Sequence, residues 1–426
     1  LTPAPYLVYF AVLKLWKFFF PLLLPLEPFP KELRPMMVVE SPLPGANPVL
    51  WLVCGGPSSE RHVSLASAKS ALNNIDYSKF CVRVACIAPD GRWMLSARLF
   101  EEKPDPAEAG DLFSRFTEPD DYPVTLSAAR AMARLESDKP LCAFNAMHGR
   151  VGEDGVIQGL FAMMGVPMTG SGVAASALAM DKVRCRLALE AAGLAVSRGV
   201  TFTDQPGRPR PDAATLERRI SFPCFVKPVF GGSSLGVTKV RRPEDLDAAL
   251  DVALAESPQV LIEEGIDGTE VTCGVLEDEH GQPRALVPTE ICPRAGRDFF
   301  DFQAKYVAGE TDEITPARLD DDMLSRVRAA AVAAHRALGC AGYSRSDFII
   351  GRDKVIYALE VNTLPGFTPT SLLPQGAAAM GIDFPALVMR IIVAGLSPRQ
   401  APPFGATFAS RRAEQHQPAM AMQATA

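Results

Sequence analysis

"FVKPVFGGSSLGVTKV", residues 225–240, decides how this chain is read. A lysine and a proline stand ahead of a glycine-serine loop, with apolar runs on both sides. A Walker loop would read G-x-x-x-x-G-K-[ST], with the lysine after the glycines and a helix behind it. Here Lys227 comes first, and Val237-Thr238-Lys239-Val240 alternates as a strand does. The stretch therefore reads as two strands joined by a glycine-rich hairpin. Such a hairpin can close over a triphosphate, because bare backbone N–H groups approach anionic oxygens closely and Lys227 adds charge. An ordinary β-turn would use the same residue types for local reasons. Support for a phosphate has to come from the rest of the chain.

Working outward, "NPVLWLVCGG" (47–56) predicts a buried strand ending in glycines, and "SSERHVSLASAKSALNNI" (58–75) a helix with Ser58 or Ser59 as its N-cap. "FCVRVACIAPDG" (80–91) and "PLCAFNAM" (140–147) are further strands. Strand, helix, strand repetition indicates an α/β chain with a doubly wound parallel sheet. The run from Val173 to Gly193 predicts one helix closed by a glycine. "QVLIEEGIDGTEVTCGVL" (259–276) predicts two strands around an Asp-Gly turn. A long helix over 321–339 precedes "GYSRSDFII" and "KVIYALEVNTLPG", which read as antiparallel strands.

With 426 residues the chain has room for two or three domains. A net charge of −6 and the lack of any Lys/Arg run exclude nucleic acid as the main partner. The nine cysteines are scattered and never spaced C-x-x-C, which fits small buried thiols in a reducing compartment, without a disulfide framework or zinc site. Residues 6–26 are greasy enough to suggest a membrane segment, but Lys14, Lys17, Pro21 and Pro25 interrupt them. Residues 1–47 are expected to be a disordered leader or a start assigned too far upstream, with an interfacial anchor as the alternative. The tail from about 399 reads as disordered.

Several stretches hold more functional side chains than packing needs. "RSDF" places Arg345 and Asp347 on one face of a strand, and "EVN" places Glu360 and Asn362 on one face of the next. Three oxygen donors on adjacent strands make a hard-cation site of the kind Mg²⁺ takes beside phosphates. The competing reading, a solvated sheet face, conflicts with the apolar neighbours Phe348, Ile349, Leu359 and Val361, where unpaired carboxylates are costly. "NTLPGFTPTSLLP" turns through Pro365-Gly366 into hydroxyl-rich backbone able to present N–H groups to an oxyanion or carboxylate. Glu263 and Glu270 suit an adenine amine and a ribose hydroxyl, or else form a charged hairpin rim. "FFDFQAKY" (299–306) has the profile of a lid carrying Lys305 and Tyr306. His148, after a strand and before a glycine-rich turn, lies where open α/β sheets bind ligands.

In their order and spacing, "GGPSSERHVSLASA", "HGRVGEDGVIQGLFAMMGVPMTGSGVAASALAMDK", "FVKPVFGGSSLGV", "FFDFQAKY", "YSRSDF" and "EVNTLPGFTPTSLLP" resemble the D-alanine–D-alanine ligases of the ATP-grasp superfamily, over about residues 48–398. The resemblance implies three domains, an N-terminal doubly wound sheet (48–172) and two α+β domains (173–266 and 267–398) clamping ATP. It implies that Lys182, Lys227 and Ser234 contact phosphates under the 231–236 loop, and that Glu263, Glu264 and Ile266 meet adenine. Glu270 would meet the ribose. Asp347, Glu360 and Asn362 would hold two Mg²⁺ ions, with Mn²⁺ as a substitute. Arg345 and the Gly366 N–H would steady a tetrahedral oxyanion, and Lys305 the transferring phosphoryl group. His148 would belong to the substrate site, and Ser371 with the Leu372 N–H would hold the second carboxylate. D-alanine would be joined to D-alanine through an acyl phosphate, for peptidoglycan precursors, by a cytoplasmic homodimer.

One departure stands out. The resemblance implies an acid that meets the first substrate's ammonium, hydrogen-bonded with Ser233 and Tyr306, and its matching position here is His62. Glu60 lies two residues earlier, and residues two apart on a helix do not share a face. Either a neutral His62 suffices, or the first substrate differs from D-alanine. A ligase for another D-amino acid or amino-acid pair is thus one alternative, and a non-catalytic ATP-binding relative another.

Overall fold

The computed structural model describes residues 47–278, 280–293 and 311–397. The expected leader and tail, and the segment holding Lys305 and Tyr306, fall outside the described residues.

The first sheet is built on β1 (Val49–Gly55), which pairs in parallel with β2 (Cys81–Ile87) and β5 (Cys142–Asn145). The period of two sends Leu50, Leu52 and Cys54 into one core and Val49, Trp51 and Val53 into another. A strand buried on both faces needs an unbroken apolar sequence, as "VLWLVCG" is. The parallel pattern stops at one edge: β3 (Trp93–Leu95) and β4 (Thr125–Leu126) run antiparallel, in the order β4-β3-β2-β1-β5. The helix after β1, α1, covers Arg61–Leu72 and its N-cap is Glu60, not Ser58 or Ser59. Ser58 instead accepts a hydrogen bond from the Glu60 N–H with Oγ at 3.1 Å. Three more helices complete this region: α2 (Pro106–Thr117), α3 (Ala128–Asp138) and α4 (Val156–Met163).

The expected single helix over 173–193 is two. α5 (Val173–Met180) ends at Asp181, whose extended backbone and side chain start α6 (Lys182–Ala191) by accepting from the Val183 and Arg184 N–H groups. Asp181 also bridges Phe230, and the Lys182 N–H donates to Val229 O at 3.1 Å. Tertiary pairing with the segment after Lys227 is what interrupts the helix.

A second sheet has the order β6-β9-β7-β8, made of β6 (Gly199–Thr203), β7 (Cys224–Pro228), β8 (Thr238–Val240) and β9 (Gln259–Glu264). Strands β7 and β8 pair antiparallel around the glycine-serine loop, as the opening stretch predicts. Between the sheet's strands run the short α7 (Ala213–Glu217) and α8 (Leu246–Glu256), and α8 packs on the sheet through Leu246, Ala249, Leu250 and Ala253.

The third sheet is centred on β10 (Gly268–Glu277), with β11 (Pro283–Ala285), β12 (Thr289–Pro293), β13 (Thr311–Ile314), β14 (Tyr343–Gly351) and β15 (Ile356–Asn362). The Asp267-Gly268 step therefore does not close a hairpin: β9 and β10 belong to different sheets, and the step carries the chain between them. Helix α9 (Asp321–Ala337), capped by Asp320, lays Met323, Val327, Ala331 and Ala334 against Val271, Val275, Phe348 and Val361. After α10 (Leu372–Ala378) the chain ends its described part in α11 (Phe384–Gly395), whose Leu387, Val388, Ile391 and Ile392 share a core with Leu50 and Leu52 of the first sheet.

Candidate active site

Two adjoining cavities occupy the space where the three sheets meet. The larger, of about 380 Å³, is lined by Glu60, His62, His148, Glu153, Arg345 and Ser371 among others. The smaller, of about 110 Å³, is lined by Phe225, Lys227, Ser234, Glu263, Ile266 and Glu270 among others. Lys182, Gly231, Gly232 and Glu360 border both. The chamber thus opens onto the smaller slot through a neck lined by Lys182, Glu360 and glycine backbone.

The neck follows from the 231–236 loop. Ser233 and Ser234 both have positive φ, 50° and 56°, and Gly231 and Gly236 do too. Non-glycine residues in this region are uncommon and concentrate at functional turns. The break at Asp181 aims Lys182 at this loop, where its Nζ donates to Gly231 O at 2.6 Å.

In the slot, Lys227 on β7 and Glu263 on β9 form a salt bridge and hydrogen bond. Burial would raise the Glu263 carboxyl, but Lys227 and then Arg186 outweigh it and hold the group below the usual carboxylate range. Phe225, Leu235, Val237, Ile349 and Leu359 supply apolar walls, and Glu264 and Glu270 its polar rim.

β14 and β15 place Asp347, on the slot wall, opposite Glu360, which borders both cavities, and set Arg345 opposite Asn362 on the chamber wall. Both oxygens of Asp347 are engaged by Arg345 in this arrangement, at 2.9 and 2.8 Å, and Thr272 Oγ1 adds a bond at 2.6 Å. Among the described residues no group of three His, Cys, Asp or Glu side chains is placed to hold a metal. The expected donors are two carboxylates and the Asn362 amide. Oxygen donors on opposed strand positions are of the kind a hard divalent cation takes, and holding one there would require Asp347 to give up Arg345. Among the described residues no helix is long and apolar enough to cross a membrane.

The matches to known proteins now decide the family. Residues 49–171 match the model of the D-ala D-ala ligase N-terminus, and residues 188–393 that of the D-ala D-ala ligase C-terminus. The chain belongs to the D-alanine–D-alanine ligase family. Members are ATP-dependent ligases with the ATP-grasp fold. Among its relatives, the D-alanine–D-alanine ligase of Leptospira biflexa is 38% identical over 335 residues, spanning 78% of this chain and 94% of that protein. That of Streptomyces griseus is 37% identical, over 84% and 95%. Among solved structures, the VanG D-Ala:D-Ser ligase of Enterococcus faecalis superposes with a TM-score of 0.67 at 30% identity, covering 82% of this chain and 99% of that one. The Coxiella burnetii D-alanine–D-alanine ligase, at 24% identity, TM-score 0.65 and coverage of 83% and 95%, shares the fold.

At position 62 the arrangement differs from the expected hydrogen bond between His62 and Ser233. His62 is exposed at the chamber, whereas Glu60 is buried and accepts a hydrogen bond from Ser233 Oγ. The helix-face rule does not bind Glu60, because it is the N-cap and lies outside the helix. Its carboxylate fills space that two glycines leave open: a Cβ at Gly149 or Gly232 would stand 2.5 or 2.8 Å from Glu60 Oε2.

His148 lies beside this carboxylate, with Nε2 2.9 Å from Ser67 Oγ, and burial pushes its imidazole below the usual histidine range against the pull of Glu60. Ser371, at the N-cap of α10, accepts from the Thr368 N–H at 3.1 Å and lies on the chamber wall with Leu372 and Gly366. The sequence reading missed Glu153 and Arg186. Glu153 sits in the quoted "HGRVGEDG" turn, and Arg186 follows Lys182 by four residues on one helix face, so both left a signal.

Proposed function

We propose that this ligase joins two D-alanines at the expense of ATP, through an acyl phosphate, to supply peptidoglycan precursors. The observation that carries the proposal is the meeting of the chamber and the slot at Lys182, the 231–236 loop and Glu360. A carboxylate is a poor electrophile, so phosphorylation has to supply its leaving group. The first D-alanine carboxylate attacks the γ-phosphate and ADP departs. The second D-alanine amine attacks the acyl carbon, and phosphate leaves.

In this reading adenine lies against Glu263, Glu264 and Ile266, the ribose at Glu270, and the phosphates at Lys182, Lys227 and Ser234. Asp347, Glu360 and Asn362 hold two Mg²⁺ ions, or Mn²⁺ in their place, which when bound neutralise phosphate charge. Glu60, oriented by Ser233, takes the first ammonium in place of His62. Arg345 and the Gly366 N–H face the tetrahedral oxyanion, and Ser371 with the Leu372 N–H the second carboxylate. His148, held neutral, completes the first subsite. Lys305 and Tyr306 act from outside the described residues. Most of the catalytic effect is positioning and electrostatic stabilisation. A cytoplasmic location and a homodimeric state are part of the same proposal.

Ligation of D-alanine to a different second D-amino acid is a second reading. It is favoured by the likeness to a D-Ala:D-Ser ligase and by the Thr368, Thr370 and Ser371 hydroxyls on the chamber wall. Mass spectrometry of products from ATP, Mg²⁺ and mixed D-amino acids decides. D-alanyl-D-alanine formed with equimolar ADP, lost with a chelator and restored by Mg²⁺, is expected. A mixed dipeptide in its place selects the second reading, and ATP binding without ADP release overturns both.

A further inference from the structure

Glu263 is held from two sides. One oxygen meets Lys227, which lines the slot. The other, Oε2, accepts from Arg186 Nη1 at 3.1 Å and from Ser197 Oγ at 3.0 Å. Arg186 Nη1 also donates to Ser197 Oγ at 2.9 Å, and Nη2 to the Ser197 carbonyl. Glu263 and Ser197 are 4% and 3% exposed. Arg186 is absent from the slot lining and reaches Glu263 from behind, from α6, while Ser197 lies just ahead of β6. Two partly exposed cations and one buried carboxylate therefore form a cluster with a net charge of +1.

A lysine paired alone with a buried carboxylate is largely neutralised, and its attraction for an anion falls accordingly. A second cation on the far oxygen divides the carboxylate's charge and leaves Lys227 electrostatically open to phosphate. The same contacts remove the rotational freedom of Glu263 and fix the direction in which its edge meets a base. The direction of the Glu263 shift, with Arg186 among its causes, agrees with this geometry.

We propose that Arg186 and Ser197 are positioning residues for the nucleotide: by clamping Glu263 they keep Lys227 available to phosphate and fix the acceptor that selects a 6-amino purine. This rests on the ligase reading above. Arg186 lies outside the slot lining and Ser197 only borders the slot beside Glu263, and neither is placed at the reacting atoms, so the effect is on nucleotide affinity and base choice rather than on turnover.

The test compares Arg186→Met, Arg186→Lys and Ser197→Ala with wild type. ADP release with D-alanine is measured alongside calorimetric ATP binding. For Arg186→Met, about a tenfold rise in ATP KM and Kd is expected, with kcat and D-alanine KM changed less than about threefold. Selectivity for ATP over inosine triphosphate, which carries a 6-oxo group, falls by about the same tenfold factor. Ser197→Ala shows about a threefold effect in the same direction, and Arg186→Lys restores ATP affinity to within about threefold of wild type.

Unchanged ATP affinity and base selectivity in Arg186→Met overturns the proposal, as does a kcat loss at constant ATP KM. Should Arg186→Met fail to fold, Ser197→Ala decides, and wild-type ATP affinity there overturns it. Wild-type protein that releases no ADP with any D-amino acid overturns the ligase reading itself, a result distinct from either.

Discussion

Glu153 carries two opposing demands on one carboxyl. Its Oε1 accepts from the Gly149 N–H at 2.9 Å, while burial and then the charge of Glu60 push its pKa up to about 8. A raised carboxyl pKa means the folded state binds its proton more tightly than the unfolded chain does. That stabilisation is complete below the ordinary carboxylate range and is lost as pH rises through about 8. Glu153→Gln, neutral at every pH, escapes this loss. The stability of the variant relative to wild type is expected to rise between pH 5 and pH 9, by on the order of 1 kcal/mol or more. Thermal unfolding across that range measures it, and a flat difference refutes it. At Glu60 the expected outcome is kinetic. Glu60→Gln raises the first-substrate KM about tenfold or more, while His62→Glu changes it less than about threefold, in initial-rate assays. Arg345 and Asp347 were legible in sequence because a strand's period of two needs no tertiary knowledge. Glu60 was not, because the face rule applies only inside a helix and the start of that helix was misplaced.

At the scale of elements, the division of 173–193 into α5 and α6 combines a cap at Asp181 with pairing to the segment after Lys227. Asp181 Oδ1 accepts from the Val183 and Arg184 N–H groups at 3.1 and 2.9 Å, and its side chain also meets the Arg184 guanidinium. Asp181→Ala is expected to cost about 1 kcal/mol of stability, read by urea unfolding. It also loosens the start of α6, which carries Lys182, so ATP KM should rise in the same variant. Among the sequence signals, β7, β8, β14 and β15 were legible because alternating apolar residues flank strong turns. The Asp181 break was not, since an Asp-Lys pair within an apolar run reads equally well as helix interior. Only the bridge between Asp181 and Phe230 separates the two outcomes. The Asp267-Gly268 step misled for a related reason: Asp-Gly favours a tight turn without dictating which strands the turn joins.

For the whole molecule, α11 ties the end of the described chain to its first sheet. Ile391 is fully buried in the core shared with Leu50, Leu52 and Phe144. Ile391→Ala is expected to cost about 2–5 kcal/mol, through lost burial and a residual cavity. Denaturant unfolding followed both by tryptophan fluorescence, with Trp51 in the first sheet, and by circular dichroism reports it. Transitions that coincide in wild type and separate in the variant would show that this packing couples the first sheet to the rest; a loss below about 1 kcal/mol would count against it.

By itself the sequence determined the principal strands, the glycine-serine hairpin loop after Lys227 and the facing of Arg345 with Asp347. These depend on local periodicity and turn chemistry, which act over a few residues. Tertiary structure alone decided that Glu60 meets Ser233, that Arg186 reaches Glu263, and that Asp181 parts two helices. Each of these is a contact between distant segments, and its free energy exists only once the sheets have brought those segments together.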